Sequence, residues 1–259
     1  MPIDPQFSSV PDSAAANPAV LSATFASLFP LGVVATELRA PGDASLLWPE
    51  EAAGVANAVP KRIQEFAAGR LCARRALKEF GITNFPVRVA HDRQPLWPAS
   101  LTGSITHTAG LCAAVVAERT RMMALGVDTE VAGAAKAELW STICTPAELA
   151  WLDTLPRADH AAAVTLIFSA KEAFYKCQYP LVGEWLNFHD LCVAPLAWGK
   201  PQGTFTVQAT RPIGFFEGRD PSLRAAPAVL CSYRFHDGFV SAGVCLAAPA
   251  ETAARRELS

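Results

Sequence analysis

The sequence predicts an α+β fold made of two similar subdomains, and three observations lead to this prediction. The chain has 259 residues, 51% of them hydrophobic, which is enough to bury one large core or two smaller ones. Each half contains one long segment with helical periodicity. Each half also contains short strand-like segments joined by turn residues. A helix and a hairpin in each half indicate a loose internal duplication, divided near residue 120.

In the first half, the helix is predicted over residues 60–80. Pro60 stands in its first turn and Gly81 follows its end, which is the usual placement of these two residues. Residues 107–110 are predicted to connect two strands of a hairpin. Strands are predicted at residues 32–39, 87–90, 103–106 and 111–117.

In the second half, the segment from Thr145 to Glu148 is predicted to open a helix through a capping box. A longer helix follows over about residues 159–178. Strands are predicted around Asp128 and at residues 204–209, 228–235 and 239–247, the last two joined by a tight turn at residues 236–238. We expect a flexible leader at residues 1–20, an N-terminal subdomain at 21–120 and a C-terminal subdomain at 121–259.

Composition excludes several classes of protein. The net charge of −2 argues against nucleic-acid binding by bulk electrostatics. The apolar run at residues 111–117 is far shorter than the roughly 20 residues that a transmembrane helix needs. The first basic residue is Arg39, so a secretory signal is not expected. The seven cysteines form no C-x-x-C pair, which is typical of reduced thiols in a cytoplasmic protein.

The segment from Lys61 to Arg93 is locally basic, with eight Lys or Arg residues against three acidic ones. Such a segment indicates either a ligand with several phosphates or a solvated helix face. Arg70 occupies the apolar phase of the predicted helix, where an unpaired arginine is costly. Arg62 lies two turns earlier on the same side. The two guanidinium groups either converge on one dianion, or Arg70 pairs with a buried acid and Arg62 is a surface residue.

Three carboxylates indicate a second polar centre. Asp128 and Glu130 are two residues apart on a predicted strand, so both side chains point to one face. Their repulsion requires either a shared proton or a hard divalent cation. Glu172 and Lys176 lie one helical turn apart and form either part of this centre or a surface ion pair. Glu172 could instead form a capping box with Ser169, unless the helix already begins near residue 159.

Four motifs in this order resemble the 4'-phosphopantetheinyl transferases, over roughly residues 58 to 190. The core pair resembles the family patterns G-(I/V)-D-x-E and (W/F)-(S/C)-x-K-E-(A/S)-x-x-K. The other two place the chain nearest the surfactin-type and enterobactin-type branch. In chain order the motifs are Lys61-Arg62-x-x-Glu65-Phe66-x-x-Gly69-Arg70-Leu71-Cys72-Ala73-Arg74; Gly103-Ser104-Ile105-Thr106-His107; and the core pair Gly126-Val127-Asp128-Thr129-Glu130 and Phe168-Ser169-Ala170-Lys171-Glu172-Ala173-Phe174-Tyr175-Lys176.

The resemblance implies a pseudo-twofold arrangement of the two halves, with the active site in the cleft between them. It implies a cytoplasmic, Mg²⁺-dependent transferase, with Mn²⁺ as a substitute, that moves the phosphopantetheine arm of coenzyme A to a serine of an apo acyl, peptidyl or aryl carrier protein. The other product is 3',5'-ADP. The branch favours siderophore (enterobactin-type) or other secondary metabolism. Because one duplicated chain supplies both sides of the cleft, a monomer is expected.

The resemblance also implies a role for each matched residue. Asp128, Glu130 and Glu172 are the expected Mg²⁺ ligands. For the general base we consider Glu172 or a metal-bound water next to it; Lys176 is expected to stabilise phosphate charge, and Asp128 belongs to the catalytic group. The residues expected to contact coenzyme A are Arg62, Arg70, Arg93, Thr106, His107, Asp128, Glu172, Lys176 and Leu186.

Several points stay open within this interpretation. The sequence has Asp92-Arg93-Gln94-Pro95 where relatives carry Gly-Lys-Pro. Lys171 is either a surface residue or a ligand. Leu186 belongs to the stretch 180–186, which is expected to lie past the helix end, beside the pantetheine arm. Phe174 and Tyr175 are expected in the core and the cleft wall. The alternative functions are a Mg²⁺-dependent hydrolase of a nucleotide pyrophosphate and a non-catalytic module that binds carrier proteins.

Overall fold

A computed structural model describes residues 19–217 and 229–248, which form two antiparallel sheets with one long helix packed on each. This arrangement confirms the predicted α+β class. The strands are β1 (Val20–Leu21), β2 (Val34–Leu38), β3 (Leu101–Thr108), β4 (Leu111–Glu118), β5 (Met122–Val131), β6 (Leu191–Pro195), β7 (Gln202–Ala209), β8 (Val229–His236) and β9 (Phe239–Ala247). The helices are α1 (Ala23–Ala26), α2 (Pro49–Ala52), α3 (Pro60–Lys78), α4 (Trp140–Ile143), α5 (Pro146–Leu152) and α6 (His160–Val182).

The first sheet has the strand order β1-β2-β4-β3, and α3 packs on it. Pro60 begins α3, because its fixed φ suits the first helical turn. Its lack of an N–H costs nothing there, since backbone N–H groups in the first turn have no partner within the helix. The helix buries Leu71, Cys72 and Leu77 against the sheet. Gly81 follows with a φ of 73°, a value that favours glycine.

The second sheet has the strand order β5-β9-β8-β7-β6, and α6 packs against β5 and β9. The capping box that opens α5 is formed as predicted, since Thr145 and Glu148 exchange hydrogen bonds with each other's backbone N–H. The helix α6 ends at Gly183, whose φ of 64° closes it in the left-handed region.

The two sheets meet where β3 lies against β5. An apolar cluster fills the junction, with Phe25 and Leu28 from the N-terminal segment, Val115 from β4, and Leu125 and Cys245 from the second sheet. Gly243 of β9 permits the contact, because a Cβ there would lie 2.8 Å from both the Leu28 Cβ and the Phe29 ring.

Several predicted boundaries were wrong. Residues 87–90 form only an isolated bridge between Val89 and Pro95, because the prolines on both sides limit strand pairing. The hairpin residue His107 lies within β3, and the turn is confined to Ala109 and Gly110. Pro180 lies inside the last turn of α6.

Other differences concern the ends and the connections. Val20, assigned to the leader, pairs with Glu37 in the first sheet, and residues 1–18 lie outside the described part. Strand β6 was not predicted. Residue 228, the predicted start of a strand, also lies outside the described residues. No helix in the described ranges is long and apolar enough to cross a membrane.

Candidate active site

Side-chain hydroxyls join β3 to β5 at the junction of the two sheets. The Ser104 hydroxyl accepts a hydrogen bond from the Val127 N–H at 3.1 Å, and the Thr106 hydroxyl accepts one from the Thr129 N–H at 3.0 Å. Because the other edge of β5 pairs with β9, these hydroxyls provide partners for N–H groups that would otherwise lack them. They fix the register of β3 against the strand that carries the two predicted carboxylates.

The same row of hydroxyls orients both carboxylates of β5. Thr106 Oγ1 donates to Asp128 Oδ1 at 3.2 Å, and Thr108 Oγ1 donates to Glu130 Oε2 at 3.2 Å. Thr106 is therefore a support for Asp128, with its hydroxyl already used as donor and acceptor. Thr108 was not singled out from the sequence, although its spacing of two residues from Thr106 on a strand was the available signal.

Glu172 and Lys176 of α6 extend the centre. Lys176 Nζ lies 2.7 Å from Asp128 Oδ1 and also donates to the Val127 carbonyl oxygen at 3.2 Å. The interpretation of Glu172 and Lys176 as a surface ion pair is therefore wrong, because the ammonium group pairs with the strand instead. The capping-box alternative is also wrong, since α6 begins at His160 and Ser169 lies buried in its interior.

The electrostatics of the centre are dominated by buried negative charge. Burial raises the pKa of Glu130 to about 7, and the charge of Asp128 adds to the effect. Burial also raises the pKa of Glu172; the nearby Lys176 opposes this rise and Asp128 adds to it. Oδ2 of Asp128 is buried without a hydrogen-bond partner among the described residues. An oxygen-seeking cation fits this donor set, because it would satisfy the orphaned oxygen and offset the excess charge.

The three carboxylates do not form a ready-made cage. Within residues 19–217 and 229–248, no group of three or more His, Cys, Asp or Glu side chains is arranged so that it could hold a metal ion alone. Lys176 instead neutralises part of the charge on Asp128. Mg²⁺ commonly uses only one or two protein carboxylates and completes its shell with water and substrate phosphates, so an incomplete cage is compatible with it.

Arg62 of α3 and His107 of β3 meet opposite this centre. Nη1 of Arg62 lies 2.6 Å from Nε2 of His107 and 3.6 Å from a carboxylate oxygen of Glu65. Since a guanidinium group can only donate, Nε2 accepts, and the proton of the neutral imidazole is on Nδ1. Burial and the Arg62 charge both lower the pKa of His107.

Arg70 is almost fully buried, 6% exposed, yet forms no ion pair with a buried acid among the residues that the structure describes. Its Nε donates to the Val87 carbonyl oxygen at 2.8 Å, and its guanidinium carbon lies 3.9 Å from the centre of the Phe66 ring. The buried acid Glu51 pairs with Arg74 instead. Burial lowers the pKa of Arg70 to about 10; the charge of Glu51 opposes the lowering, and the smaller effect of the Arg62 charge adds to it. The two arginines therefore repel each other, and an anion between them would relieve this repulsion.

Arg93 lies in an exposed turn with a φ of 71°. Burial raises the pKa of Tyr175 in α6 to about 12, and the charge of Asp92, next to Arg93, contributes to the rise. Arg93 is placed at the edge of the site rather than among its buried groups.

A cleft of about 460 Å³ opens beside Glu172. It lies wholly in the second half and does not include Asp128 or the arginines of α3, so Glu172 is the link between the cleft and the polar centre. Leu186, 8% exposed, lines this cleft. Phe174 is buried in the core, as expected. Tyr175 lines this cleft, which differs from the predicted cleft between the two halves. The lining residues are Ser141, Thr142, Lys171, Glu172, Tyr175, Trp185, Leu186, Asn187, Phe188, His189 and Leu191.

Lys171 is neither a surface residue nor an available ligand. Its ammonium group pairs with Glu148 at 2.7 Å, and both side chains are 1% exposed. It also donates to the carbonyl oxygens of Ile143 and Phe188, each at 2.8 Å. Three partners use all three of its protons, so Lys171 ties α4, α5 and the loop after α6 together.

Two family models match consecutive parts of the chain. The family model of the 4'-phosphopantetheinyl transferase N-terminal domain matches residues 48–117, and the model of the 4'-phosphopantetheinyl transferase superfamily matches residues 124–225. Each match contains part of the polar groups described above. The chain belongs to the 4'-phosphopantetheinyl transferase superfamily.

Two relatives with 38% and 39% sequence identity agree with this assignment. The chain is 38% identical to the 4'-phosphopantetheinyl transferase Svp of Streptomyces mobaraensis over 224 residues, 83% of this chain and 85% of the relative. It is 39% identical to enterobactin synthase component D of Escherichia coli O157:H7 over 159 residues, 61% of this chain and 72% of the relative. A holo-(acyl-carrier-protein) synthase from Bacillus anthracis, solved in complex with CoA (3',5'-ADP), aligns with a TM-score of 0.37 and 19% identity over 49% of this chain and 98% of that chain.

Proposed function

We propose that this chain transfers the 4'-phosphopantetheine arm of coenzyme A to a serine hydroxyl of an apo carrier protein and releases 3',5'-ADP. The observation that carries the proposal is the placement of Asp128, Glu130 and Glu172 on one side, with Arg62 and Arg70 across the junction. One side suits a cation and the other suits phosphate. A substrate with a pyrophosphate and a further phosphate, such as coenzyme A, needs both.

In this proposal Asp128, Glu130 and Glu172 hold a Mg²⁺ ion, for which Mn²⁺ can substitute. The orphaned oxygen of Asp128 and the mutual repulsion of the carboxylates support this set of ligands. When bound, the ion would offset the charge of the pyrophosphate and of the leaving 3',5'-ADP. Lys176, already paired with Asp128, places a further positive charge beside the reacting phosphate.

Residues of the first half bind the nucleotide end. Arg62 and Arg70 donate to the phosphates of coenzyme A, including the 3'-phosphate, because a planar guanidinium group offers several donors at once. The Nδ1–H of His107 is a further donor, and Thr106 holds Asp128 in place behind it. Arg93 contacts the nucleotide from the exposed turn.

The chemical step uses a serine of the carrier protein as nucleophile. Glu172 accepts the serine proton, since burial raises its pKa and favours proton uptake. The serine oxygen forms a bond to the phosphorus that carries the pantetheine arm, and the bond from that phosphorus to 3',5'-ADP breaks. Leu186 and the cleft beside Glu172 hold the arm.

A mass measurement tests the proposal against its alternatives. The protein is incubated with coenzyme A, Mg²⁺ and an apo carrier protein, and the carrier is weighed. A gain of one phosphopantetheine arm supports transfer. Loss of coenzyme A without a gain on the carrier would support the hydrolase, and no reaction would favour the non-catalytic binding module.

The setting of the reaction is part of the proposal. We infer that the enzyme works as a monomer, because one chain supplies both the cationic and the anionic side of the site. Its seven free cysteines support a cytoplasmic location. The sequence identity of 39% with enterobactin synthase component D favours carriers of siderophore or other secondary pathways. Sedimentation with and without coenzyme A measures the oligomeric state.

A further inference from the structure

One wall of the cleft beside Glu172 is a loop, residues 183–190, between α6 and β6. Five of its residues line the cleft: Trp185, Leu186, Asn187, Phe188 and His189. Apart from a short 3-10 turn at Phe188–Asp190, the loop has no regular secondary structure. Its shape therefore depends on contacts made by side chains at its two ends.

Arg211, which follows β7, makes those contacts from outside the cleft. Its Nη1 lies 2.8 Å from Glu184 Oε1, at the beginning of the loop. Its Nε and Nη2 each lie 3.0 Å from an oxygen of Asp190, at the end of the loop. A weaker contact of 3.4 Å reaches the Trp185 carbonyl oxygen. One guanidinium group therefore bridges both ends of the loop, with bidentate geometry at one of them.

The two acidic partners of Arg211 are themselves fixed. Glu184 Oε2 accepts from the Gly214 N–H at 2.7 Å, and Asp190 Oδ2 accepts from the Asn187 N–H at 2.8 Å. The hydrogen bond from Arg211 lowers the pKa of Asp190. The loop, its two carboxylates and the segment after β7 thus form one connected network.

The opposite side of the loop faces the core and is held independently. Lys171 donates to the Phe188 carbonyl oxygen, and the His189 ring contacts the Ser141 carbonyl oxygen at 2.9 Å. The inner contacts fix where the loop lies against α6 and α4. The Arg211 bridge fixes the separation of its two ends, and so the course of Trp185 and Leu186 between them.

We propose that Arg211 is a positioning residue that holds residues 183–190 in the shape that receives the pantetheine arm of coenzyme A. This inference rests on the proposed function, which places the arm against Leu186. Arg211 does not line the cleft, and therefore acts through the loop. A loop that is held in its binding shape loses less conformational freedom when the ligand binds.

Binding of two related ligands provides the test. Coenzyme A carries the arm, and 3',5'-ADP lacks it. With Mg²⁺ present, calorimetry should give a Kd for coenzyme A that is about three- to tenfold higher in Arg211→Gln, the cost expected for reordering a few side chains. The Kd for 3',5'-ADP should not change. The Kd of Arg211→Lys for coenzyme A should lie between the values of wild type and Arg211→Gln, because an ammonium group cannot bridge both carboxylates with fork geometry.

A matched control and a second measurement complete the design. Arg75→Gln removes an arginine that also pairs with a carboxylate, Glu79, but in α3 of the other half, and it should bind both ligands normally. Hydrogen exchange of the peptide spanning residues 183–190 should be faster in Arg211→Gln, with a thermal midpoint close to wild type.

Three outcomes would overturn the inference. They are an unchanged Kd for coenzyme A, an equal rise in Kd for both ligands, or a lowered thermal midpoint with unchanged hydrogen exchange of the loop. If Arg211→Gln does not fold, the same comparison is made on Arg211→Lys. Failure of the proposed function itself is distinguishable, because wild-type protein would then bind neither ligand or transfer no arm.

Discussion

At the scale of single residues, neighbours on α6 serve different purposes. Lys171 is buried in an ion pair that joins three segments, whereas Glu172 lines the cleft and Lys176 pairs with Asp128. Successive residues of a helix point about 100° apart, so adjacent charged residues reach different surroundings. The motif alone identified all three residues. It left open whether Lys171 is a surface residue or a ligand, because its partner Glu148 belongs to a separate helix.

Glu172→Gln tests the proposed base. The amide keeps the size of the side chain but cannot accept the serine proton, so transfer should fall at least about 100-fold. The thermal midpoint should stay near that of wild type, since the nearby Lys176 pairs with Asp128 rather than with Glu172. Mass spectrometry of the carrier measures the rate. Glu138→Gln, which changes an exposed acid, is the control, and a near-normal rate in Glu172→Gln would remove this residue from the mechanism.

The sequence predicted the polar groups of the site better than their partners. The two-residue spacing of Asp128 and Glu130, and the position of a charged Arg70 in the apolar phase of its helix, were visible in strand and helix periodicity. The pairing of Lys176 with Asp128 spans 48 positions, and local periodicity carries no information about such contacts. For the same reason the sequence left open whether Arg70 pairs with a buried acid; the structure pairs the buried Glu51 with Arg74.

At the scale of elements, the distance between β5 and α6 sets the geometry of the polar centre. Gly126, two residues before Asp128, lies directly against α6. A Cβ at this position would overlap the Ala173 carbonyl oxygen and lie 2.8 Å from the Cys177 backbone nitrogen. Glycine is therefore required here by close approach of two backbones, and this approach brings Lys176 within 2.7 Å of Asp128.

Gly126→Ala should move α6 away from β5. Overpacking of this kind costs about 1–3 kcal/mol of unfolding free energy. Transfer should fall roughly tenfold or more in the protein that remains folded, because Glu172 and Lys176 shift relative to Asp128. Denaturant unfolding and the carrier mass assay measure the two effects. Gly54→Ala is the control, since Gly54 is exposed and a Cβ there would meet side chains alone, with Val89 Cγ2 at 3.0 Å and the Phe66 ring at 3.7 Å; equal losses in both variants would contradict the argument.

At the scale of the whole molecule, the junction between the two sheets carries a titratable group away from the site. His236, at the end of β8, packs edge-on against Phe25 of the N-terminal segment, with ring centres 5.7 Å apart. Its Nε2 lies 2.8 Å from the Ser241 hydroxyl, which itself donates to Thr129. The hydroxyl therefore accepts from the imidazole, and Nδ1 is the nitrogen without a proton. That nitrogen is buried without a hydrogen-bond partner among the described residues.

Protonation of His236 should weaken the junction. Burial lowers its pKa below the ordinary value of 6.5; Arg39 and Arg234 lower it further, while Asp237 and Glu37 oppose them. A lowered folded-state pKa gives stability that is complete above pH 6.5 and is lost as the pH falls toward the folded-state pKa. His236→Gln keeps a neutral donor to Ser241, so its unfolding free energy should lie within about 1 kcal/mol of wild type at pH 7.5. Between pH 7 and pH 5 it should lose less stability than wild type in denaturant titrations. Exposed His91→Gln should follow wild type, and parallel curves for His236→Gln and wild type would show that this histidine does not sense pH at the junction.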